Sequence, residues 1–308
     1  MNTLSLKYAV EVEKTGSITQ AADNLFMGQP NLSKAIKELE TGLGIAIFNR
    51  TSKGVVPTLK GKEFLNHAKN ILLQIDEIES LYNPNDKGKL TFSISAVKTS
   101  YLTDAFVKFI NTFDTGQEFD INIRETNSIE TINNVYMNEY KLGVIRYQTT
   151  YERYFMDLLA EKDIKVEQFW DFEFSILLSQ DHPLAEYDQI SYQSLADYVE
   201  VVYCDLTSPS LSLPDLKKMS VSDHMKKIYV YEGGSQFDIL SKVGKTYMWD
   251  SPLPPEFLDR YGLVQRKCSL NNNRYVDALI YPQRYRLTNL DETFINILSK
   301  VQAEILTN

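Results

Sequence analysis

The sequence is poor in the residues that build redox and metal sites. Its 308 residues include two cysteines, Cys204 and Cys268, and three histidines, His67, His182 and His224. A disulfide framework needs more cysteines, and a zinc site needs cysteines or histidines at close ligand spacing, which this chain lacks. The sequence therefore predicts no cofactor, no metal, and two thiols that are buried or idle.

Long apolar runs are also missing. No stretch approaches the roughly 18 apolar residues that a membrane-spanning helix needs. Residues 1–17 lack the apolar core and the cleavage site of a secretion signal. By its length the chain should form two or three domains. We therefore expect a cytoplasmic protein with no membrane partner.

The formal charge of −9 is unevenly distributed. Residues 1–87 carry ten basic and ten acidic residues, so the whole acidic excess lies in 88–308. Residues 28–69 hold three acidic residues against seven basic ones, which are Lys34, Lys37, Arg50, Lys53, Lys60, Lys62 and Lys69. A local basic segment in an acidic protein is typical of a domain that binds nucleic acid selectively.

The first 58 residues follow the pattern of three short helices and a hairpin. A helix over 4–14 should end at Gly16, and Ser17-Ile-Thr-Gln20 is a capping box for a second helix. Pro30 suits the first turn of a third helix, with the apolar stripe Leu32, Ile36, Leu39 and Leu43. A strand at 45–48, a hairpin tip at 49–54 and a return at 55–57 would complete a winged helix-turn-helix.

The third helix would present amide, hydroxyl and cationic groups opposite its apolar stripe. Such groups bind base edges and phosphates, which makes double-stranded DNA the expected partner. The alternative is a small helical domain with a solvated polar face. The candidate DNA-binding residues are Ser17, Thr19, Gln20, Gln29, Pro30, Asn31, Ser33, Lys34, Lys37, and Arg50 and Lys53 at the hairpin tip.

A fourth, longer helix should begin at Thr58 and continue to about Asn83. Its apolar residues recur at coiled-coil spacing, and they are Phe64, Ala68, Ile71, Ile75, Ile78 and Tyr82. A lone helix cannot bury such a seam, so we expect it to be a dimer interface. A two-fold dimer in turn predicts an inverted-repeat operator.

Beyond residue 88 the pattern alternates strand and helix. Strands are expected at 90–97, 119–124 and 141–146, with helices at 101–113 and 129–138 between them. The alternation resumes with strands at 172–178, 198–203, 228–231 and 246–249 and helices at 237–242 and 292–306. Short connections between such elements are the signature of an open α/β sheet.

A run of residues at fixed spacing resembles the LysR-type transcriptional regulators. It consists of Ala21-Ala-Asp-Asn-Leu25, Gln29-Pro30, Ser33, Ile36, Leu39-Glu40, Leu43-Gly44, Phe48, Arg50, Thr58 and Gly61. Gly28 departs from the family's usual Ser or Thr, and Lys53 stands where a wing Arg is common. Asp181-His-Pro-Leu-Ala185 and residues 234–244 are similar, more weakly, to features of the family's effector domain.

The resemblance implies an α/β fold class with an N-terminal all-α winged helix-turn-helix and a C-terminal two-lobed, periplasmic-binding-protein-like (type 2) domain. The expected domains are the winged helix-turn-helix at 1–58, the dimerisation helix and hinge at 59–87, and the effector-binding domain at 88–308. Lobe I would comprise about 88–168 and 268–308, and lobe II about 169–267. The resemblance also implies a homodimer that pairs into a homotetramer, with RNA polymerase as a further partner.

The strand-end loops of the α/β domain predict where an effector binds. Ligands of such sheets lie at the carboxyl ends of strands, beside helix N-termini. Lys98-Thr99-Ser100 combines a cation, two hydroxyls and backbone donors, which suits a small anion. The candidate effector-binding residues are Lys98, Thr99, Ser100, Asn127, Ser128, Tyr203 and Ser235. The sequence leaves open which effector binds and whether the protein activates or represses transcription.

Three other functions stay open. The first is a DNA-binding regulator without a ligand. The second is a redox-responsive regulator acting through Cys204, although the paired-cysteine spacing of peroxide-sensing relatives is absent. The third, an enzyme with an accessory DNA-binding head, is the least favoured because no nucleophile-elbow, phosphate-loop, zinc-protease or dinucleotide motif occurs. His182, in Asp181-His-Pro, is expected to be a turn residue rather than a catalytic base.

Overall fold

The computed structural model describes residues 2–51, 54–82, 90–114, 116, 118–204, 226–231, 234–268 and 274–307. The chain divides into two compact units, residues 1–89 and 90–308. The first is helical with a small hairpin, and the second contains two sheets covered by helices. None of the described helices is both long and apolar enough to cross a membrane.

The described residues of the first unit form four helices and one hairpin. Helices α1 (Thr3–Thr15), α2 (Ile18–Asn24) and α3 (Gln29–Leu43) precede strands β1 (Phe48–Thr51) and β2 (Gly54–Pro57) and helix α4 (Leu59–Tyr82). Each of the first three helices turns one apolar stripe inward, and together they bury Ala9, Val12, Ala21, Ala22, Leu32, Ile36 and Leu39. Gly16 and Gly44 end α1 and α3 in the left-handed conformation that glycine adopts without strain.

Strand β1 begins later than the sequence predicts. The expected strand at 45–48 lies at Phe48–Thr51 instead. The carboxylate of Glu40 accepts the backbone N–H groups of Ile47 and Phe48, at 2.7 and 3.0 Å, which ties this stretch to α3. The hairpin tip is accordingly shorter, and its residues 52–53 lie outside the described residues.

Helix α4 starts against the backbone that precedes the hairpin. The hydroxyl of Thr58 accepts the N–H of Gly61 at 2.8 Å and donates to the carbonyl of Ala46 at 2.6 Å. A Cβ at Gly61 would lie 1.9 Å from the carbonyl oxygen of Ile47. This contact explains why threonine and glycine stand at these positions of the sequence pattern.

Lobe I of the second unit contains a five-stranded sheet of order β4-β3-β5-β13-β6. Its strands are β3 (Leu90–Val97), β4 (Phe119–Thr126), β5 (Leu142–Gln148), β6 (Ile164–Glu173) and β13 (Arg274–Pro282). Strands β3, β4 and β5 are parallel, and β13 is antiparallel to β5 and β6. Helices α5 (Ser100–Ile110) and α10 (Asn289–Thr307) cover one face, and α6 (Ser128–Tyr136) and α7 (Glu152–Glu161) cover the other.

Lobe II contains a six-stranded sheet of order β10-β9-β11-β7-β12-β8. Its strands are β7 (Ser175–Ser179), β8 (Gln189–Ile190), β9 (Val199–Cys204), β10 (Lys226–Tyr231), β11 (Thr246–Asp250) and β12 (Leu263–Cys268). Helices α8 (Ser235–Lys242) and α9 (Pro255–Tyr261) pack on this sheet. Short 3-10 turns at Thr149–Tyr151 and Tyr192–Asp197 complete the second unit.

The strand expected at 172–178 is in fact two strands in different sheets. Strand β6 ends at Glu173 in lobe I, and β7 begins at Ser175 in lobe II. Phe174 lies at the crossing, where its ring stacks on Tyr275 with centroids 4.1 Å apart. The apolar pattern runs through the crossing because both strands bury side chains, so periodicity alone could not reveal the break.

Candidate DNA-binding surface and effector cleft

Helix α2 is capped as the sequence predicts, but only from one side. The hydroxyl of Ser17 accepts the backbone N–H of Gln20 at 3.3 Å. The side chain of Gln20 does not return to the cap and instead donates to Asn24 at 3.1 Å. Thr19 and Gln20 are exposed at the start of this helix.

Helix α3 has a buried apolar stripe and an exposed polar face. Leu32, Ile36 and Leu39 are buried in the core of the first unit. Ser33 is half-buried, and the exposed residues are Gln29, Pro30, Asn31, Lys34 and Lys37. The face therefore offers two amides and two cations to a partner.

Gly28 leaves the start of α3 without a side-chain cap. Pro30 sits in the first turn, where its missing N–H removes no helical hydrogen bond. The positive end of the helix dipole is thus accessible, which favours an anionic group such as phosphate at this end.

Arg50 lies within strand β1 rather than at the hairpin tip. It is paired with Val55 across the hairpin. Its guanidinium Nη2 donates to the hydroxyl of Ser33 at 2.9 Å, which joins the hairpin to α3. Lys53, the second cation expected at the tip, lies outside the described residues.

The apolar seam of α4 is partly used within the first unit. Ala68 is buried, and Phe64 packs against the core of the helix-turn-helix. Ile71 is 40% exposed and Ile75 is half-buried. The whole seam was expected to lack a partner within the first unit, and this is wrong for Phe64 and Ala68, which are covered there. The side chains of Ile78 and Tyr82 lie outside the described residues.

The loop after β3 carries three of the expected effector-binding residues. Thr99 is buried and caps α5, because its hydroxyl accepts the N–H of Leu102 at 3.4 Å. Lys98 is exposed, and Ser100 is half-buried at the first position of the helix. Thr99 therefore has a structural role, whereas Lys98 and Ser100 offer polar groups near the helix start.

The loop after β4 lies beside the loop after β3. Strands β3 and β4 are parallel neighbours, and Val97 pairs with Thr126 at their carboxyl ends. Asn127 is buried and caps α6, accepting the N–H of Glu130 at 2.9 Å. The hydroxyl of Ser128 donates to the carbonyl of Arg146 and accepts its N–H. This edge of lobe I is thus fixed by side-chain caps.

Lobe II supplies the two other expected residues. Tyr203 is half-buried near the end of β9, and Ser235 is exposed at the first position of α8. The neighbouring Asp205 and Gly233 lie outside the described residues, as does the side chain of Cys204.

A charged network that the sequence analysis did not single out lies at the same edge of lobe I. Arg146 donates twice to Asp277, from Nε to Oδ1 and from Nη2 to Oδ2, at 2.8 Å each. Asp277 is fully buried and also accepts the hydroxyl of Tyr101. The guanidinium lies 4.8 Å from the ring centroid of Phe172 and 5.7 Å from that of Phe174.

The pKa values of this network depend on burial and on charge pairing. Burial opposes the charge on Arg146, but the carboxylate of Asp277 outweighs it and raises the pKa of the guanidinium. Burial, followed by the charge of Asp277, raises the pKa of Tyr101 well above its usual range. The arginine is therefore charged and the tyrosine is a neutral donor at any physiological pH.

Asp250, at the end of β11 in lobe II, interacts electrostatically with the same arginine. Burial raises the pKa of Asp250 to about 6, while Arg146 and hydrogen bonds from Ser251 act in the opposite direction. The backbone N–H and the hydroxyl of Ser251 both donate to Oδ1 of Asp250. The opposite charges of Arg146 in lobe I and Asp250 in lobe II therefore attract each other.

His182 is a buried turn residue. Its Nδ1 accepts the N–H of Leu184 at 3.0 Å, and its ring lies 4.4 Å from that of Tyr198. Burial lowers the pKa of His182. The described part of the chain contains no cluster of histidine, cysteine, aspartate or glutamate that could hold a metal, and Cys268 is a free thiol there.

Comparisons with known proteins agree with this geometry. The family described as "Bacterial regulatory helix-turn-helix protein, lysR family" matches residues 4–62. A probable RuBisCO transcriptional regulator of Phaeodactylum tricornutum is 28% identical over 200 residues, which are 63% of this chain and 61% of that relative. Less than two thirds of the relative is therefore spanned.

Two solved structures share the fold of the whole chain. ArgP from Mycobacterium tuberculosis has a TM-score of 0.65 at 12% identity, covering 96% of each chain. Full-length CbnR complexed with its target DNA has a TM-score of 0.56 at 14% identity, covering 98% of this chain and 100% of CbnR.

These findings define a winged helix-turn-helix DNA-binding domain joined to a two-lobed, periplasmic-binding-protein-like domain. The expected fold class is thereby confirmed. The DNA-binding domain is of the lysR type, and the resemblance drawn from the spacing of residues 21–61 is confirmed.

Proposed function

We propose that the protein is a transcriptional regulator of the LysR type. In this proposal it binds duplex DNA through α3 and the hairpin, and it responds to a small anionic effector between the two lobes. The observation that carries the proposal is the exposed polar and cationic face of α3. The fold shared with CbnR, which was solved with its target DNA, supports it. We propose that it acts in the cytoplasm, since the matching family is described as bacterial.

The polar groups of α3 divide into two roles. Gln29, Asn31 and Ser33 have the amide and hydroxyl groups that recognise base edges in the major groove. Lys34 and Lys37 suit phosphate contacts, which position the protein without reading sequence. Since Arg50 is hydrogen-bonded to Ser33, we assign it to holding Ser33 in place as well as to the DNA backbone.

The dependence of DNA binding on salt tests this proposal. Lys34→Ala should weaken binding to a duplex selected by the wild-type protein from a random library. It should also lower the slope of log K against log salt by about 0.9. Lys242→Ala is the matched control, because both lysines are exposed and paired with an acidic residue four positions away. Equal salt slopes for the two variants would contradict the assignment of α3.

The effector part of the proposal rests on the edge of lobe I. Of the expected residues, Lys98 and Ser100 offer polar groups to an effector there. Asn127 and Ser128, which cap α6 and bind the backbone of Arg146, hold the neighbouring loop in place. Arg146 engages Asp277 through Nε and Nη2, so among contacts with the described residues Nη1 is the guanidinium nitrogen left for an anion. Tyr203 and Ser235 would complete the site from lobe II.

A screen of small metabolites by thermal shift of the full chain discriminates the alternatives. A compound that raises the unfolding temperature supports an effector-responsive regulator. If no compound does so, a regulator without a ligand is favoured. A change in DNA binding on oxidation that Cys204→Ser abolishes would favour the redox alternative. The relatives are transcriptional regulators, so we infer that the protein is not an enzyme.

We also propose that α4 pairs two copies into a dimer. Ile71 and Ile75 are accessible apolar residues of its seam, and Ile78 and Tyr82 continue the seam in the sequence. Two copies would then bind an inverted repeat. A tetramer, as a dimer of dimers, and contact with RNA polymerase are the further assemblies that we propose.

A further inference from the structure

Phe26, in the turn between α2 and α3, is 98% exposed. It is followed by Met27 and Gly28, and α3 begins at Gln29. An isolated exposed apolar residue needs no explanation by itself. Phe26 differs because its backbone is also in the left-handed region, with φ of 53°.

The backbone around Phe26 forms a Schellman motif at the end of α2. The N–H of Phe26 donates to the carbonyl of Asp23 at 3.1 Å, and the N–H of Met27 donates to that of Ala22 at 3.0 Å. These bonds place Phe26 at the position after the helix cap, where glycine or asparagine is usual. A side chain with a Cβ is unfavourable in this conformation.

The other described left-handed residues of the chain fit that rule. Gly16, Gly44 and Gly262 have this conformation at helix ends, and the non-glycine cases besides Phe26 are Asn138 and Asp163. Among the described residues, Phe26 is therefore the one that combines a left-handed backbone, which disfavours a large side chain, with a fully exposed apolar ring. The fold gains nothing visible from the ring, which points to a contact with another molecule.

We infer that the ring of Phe26 contacts apolar groups of the DNA duplex beside α3. This inference rests on the proposed DNA-binding function and adds an uncharged contact to it. Phe26 lies two residues before the exposed residues 28–31 at the start of α3. The apolar groups that a duplex offers next to a major-groove helix are thymine methyl groups and deoxyribose carbons, and phenylalanine is suited to both.

Phe26→Asn separates fold from function, because asparagine fits the left-handed position and lacks the ring. With the full chain and the library-selected duplex, it should lower DNA affinity about tenfold. It should also raise the unfolding temperature by about 2–5 °C, since the backbone strain is relieved. Because the ring carries no charge, the salt slope should stay unchanged. Phe26→Trp keeps a ring and should retain affinity without the gain in stability.

Replacing thymines of the duplex by deoxyuracil identifies the contact. If the wild-type protein binds the uracil duplex more weakly than the thymine duplex, and Phe26→Asn binds both duplexes equally, the ring contacts a thymine methyl group. If the wild-type protein binds both duplexes equally, the ring contacts deoxyribose. Tyr187→Asn, which removes a 58% exposed ring from lobe II, is the matched control. Wild-type affinity in Phe26→Asn would overturn the inference while leaving the proposed DNA binding intact. A shift of Phe26→Asn to monomers in sedimentation would also overturn it and assign the ring to a second copy of the chain.

Discussion

Arg146 and Asp277 form a charged pair held beneath the strand ends of lobe I. They are direct cross-strand neighbours on β5 and β13, and the carboxylate is fully buried. A buried ion pair is tolerated when its geometry is good and its remaining lone pairs are occupied. The hydroxyl of Tyr101 meets that condition, since it donates to the same carboxylate. The network therefore fixes the start of α5 relative to the sheet.

Asp277→Ala should destabilise the protein strongly. The change leaves the guanidinium of Arg146 unpaired beside two phenylalanine rings, which should cost about 3–5 kcal/mol of unfolding free energy. Urea denaturation followed by circular dichroism measures it. Asp157→Ala removes the acid from an exposed pair with Arg153 and should change stability by less than about 0.5 kcal/mol. If the two variants lose equal stability, the network is not a structural element.

The ionised form of Asp250 should destabilise the fold, so protonation of this residue in acid should stabilise it. Its pKa in the fold is about 6, above the ordinary value of 3.8, so the fold favours the protonated form. The unfavourable contribution is absent below pH 3.8, grows as the pH rises, and is complete above about 6. Asp250→Asn keeps an oxygen acceptor for Ser251 without the charge.

This variant should therefore gain about 3 kcal/mol at pH 8 and only about 0.5 kcal/mol at pH 4. Paired urea titrations of variant and wild type at the two pH values measure the difference. Asp238→Asn, at an exposed position of α8, is the control and should show no such pH dependence. A gain that is the same at both pH values would mean that the change acts through packing rather than ionisation.

At the scale of elements, local signals were predictable and long-range pairings were not. Strand β3 was expected at 90–97 and lies there, and Ser17 caps α2 as expected. The shift of β1 depends on Glu40, seven residues before Ile47, and no local pattern shows such a bond. Asp277 was visible as an acid within an apolar run. Its partner Arg146 is 131 residues away, so the pair depends on which strands become neighbours.

The proposed dimer depends on the apolar seam of helix α4. Ile71→Asp places a charge on the accessible part of the apolar seam and should convert the dimer into monomers in sedimentation velocity. The affinity for an inverted-repeat duplex should fall at least tenfold, because two linked half-site contacts become independent. Asn66→Asp adds the same charge about 140° away around the helix and should leave the assembly unchanged. An Ile71→Asp protein that sediments as a dimer would remove α4 from the proposed interface.

For the whole molecule, the proposed function couples two sites that lie in different units of the chain. The DNA-binding groups belong to residues 1–89 and the candidate effector groups to residues 90–308. An effector alters DNA binding only if it binds two arrangements of the protein with different affinities. The two lobes offer a source of that difference, because Arg146 of lobe I and Asp250 of lobe II attract each other and a bound anion would change that attraction.

The coupling between effector binding and duplex binding must then be reciprocal. A compound found by the thermal-shift screen should change the affinity for the selected duplex by some factor, typically about 5–150. The duplex should change the affinity for the compound by the same factor, as fluorescence anisotropy and calorimetry can determine on one preparation.

Ser100→Ala should keep the DNA affinity measured without compound and lose the effect of the compound. Thr99 is unsuitable for this test because it caps α5. Ser299→Ala, at an exposed serine of α10, is the matched control. If Ser100→Ala responds like the wild type, the lobe I half of the proposed site is wrong. If the compound binds but leaves duplex affinity unchanged, the regulator acts without this ligand.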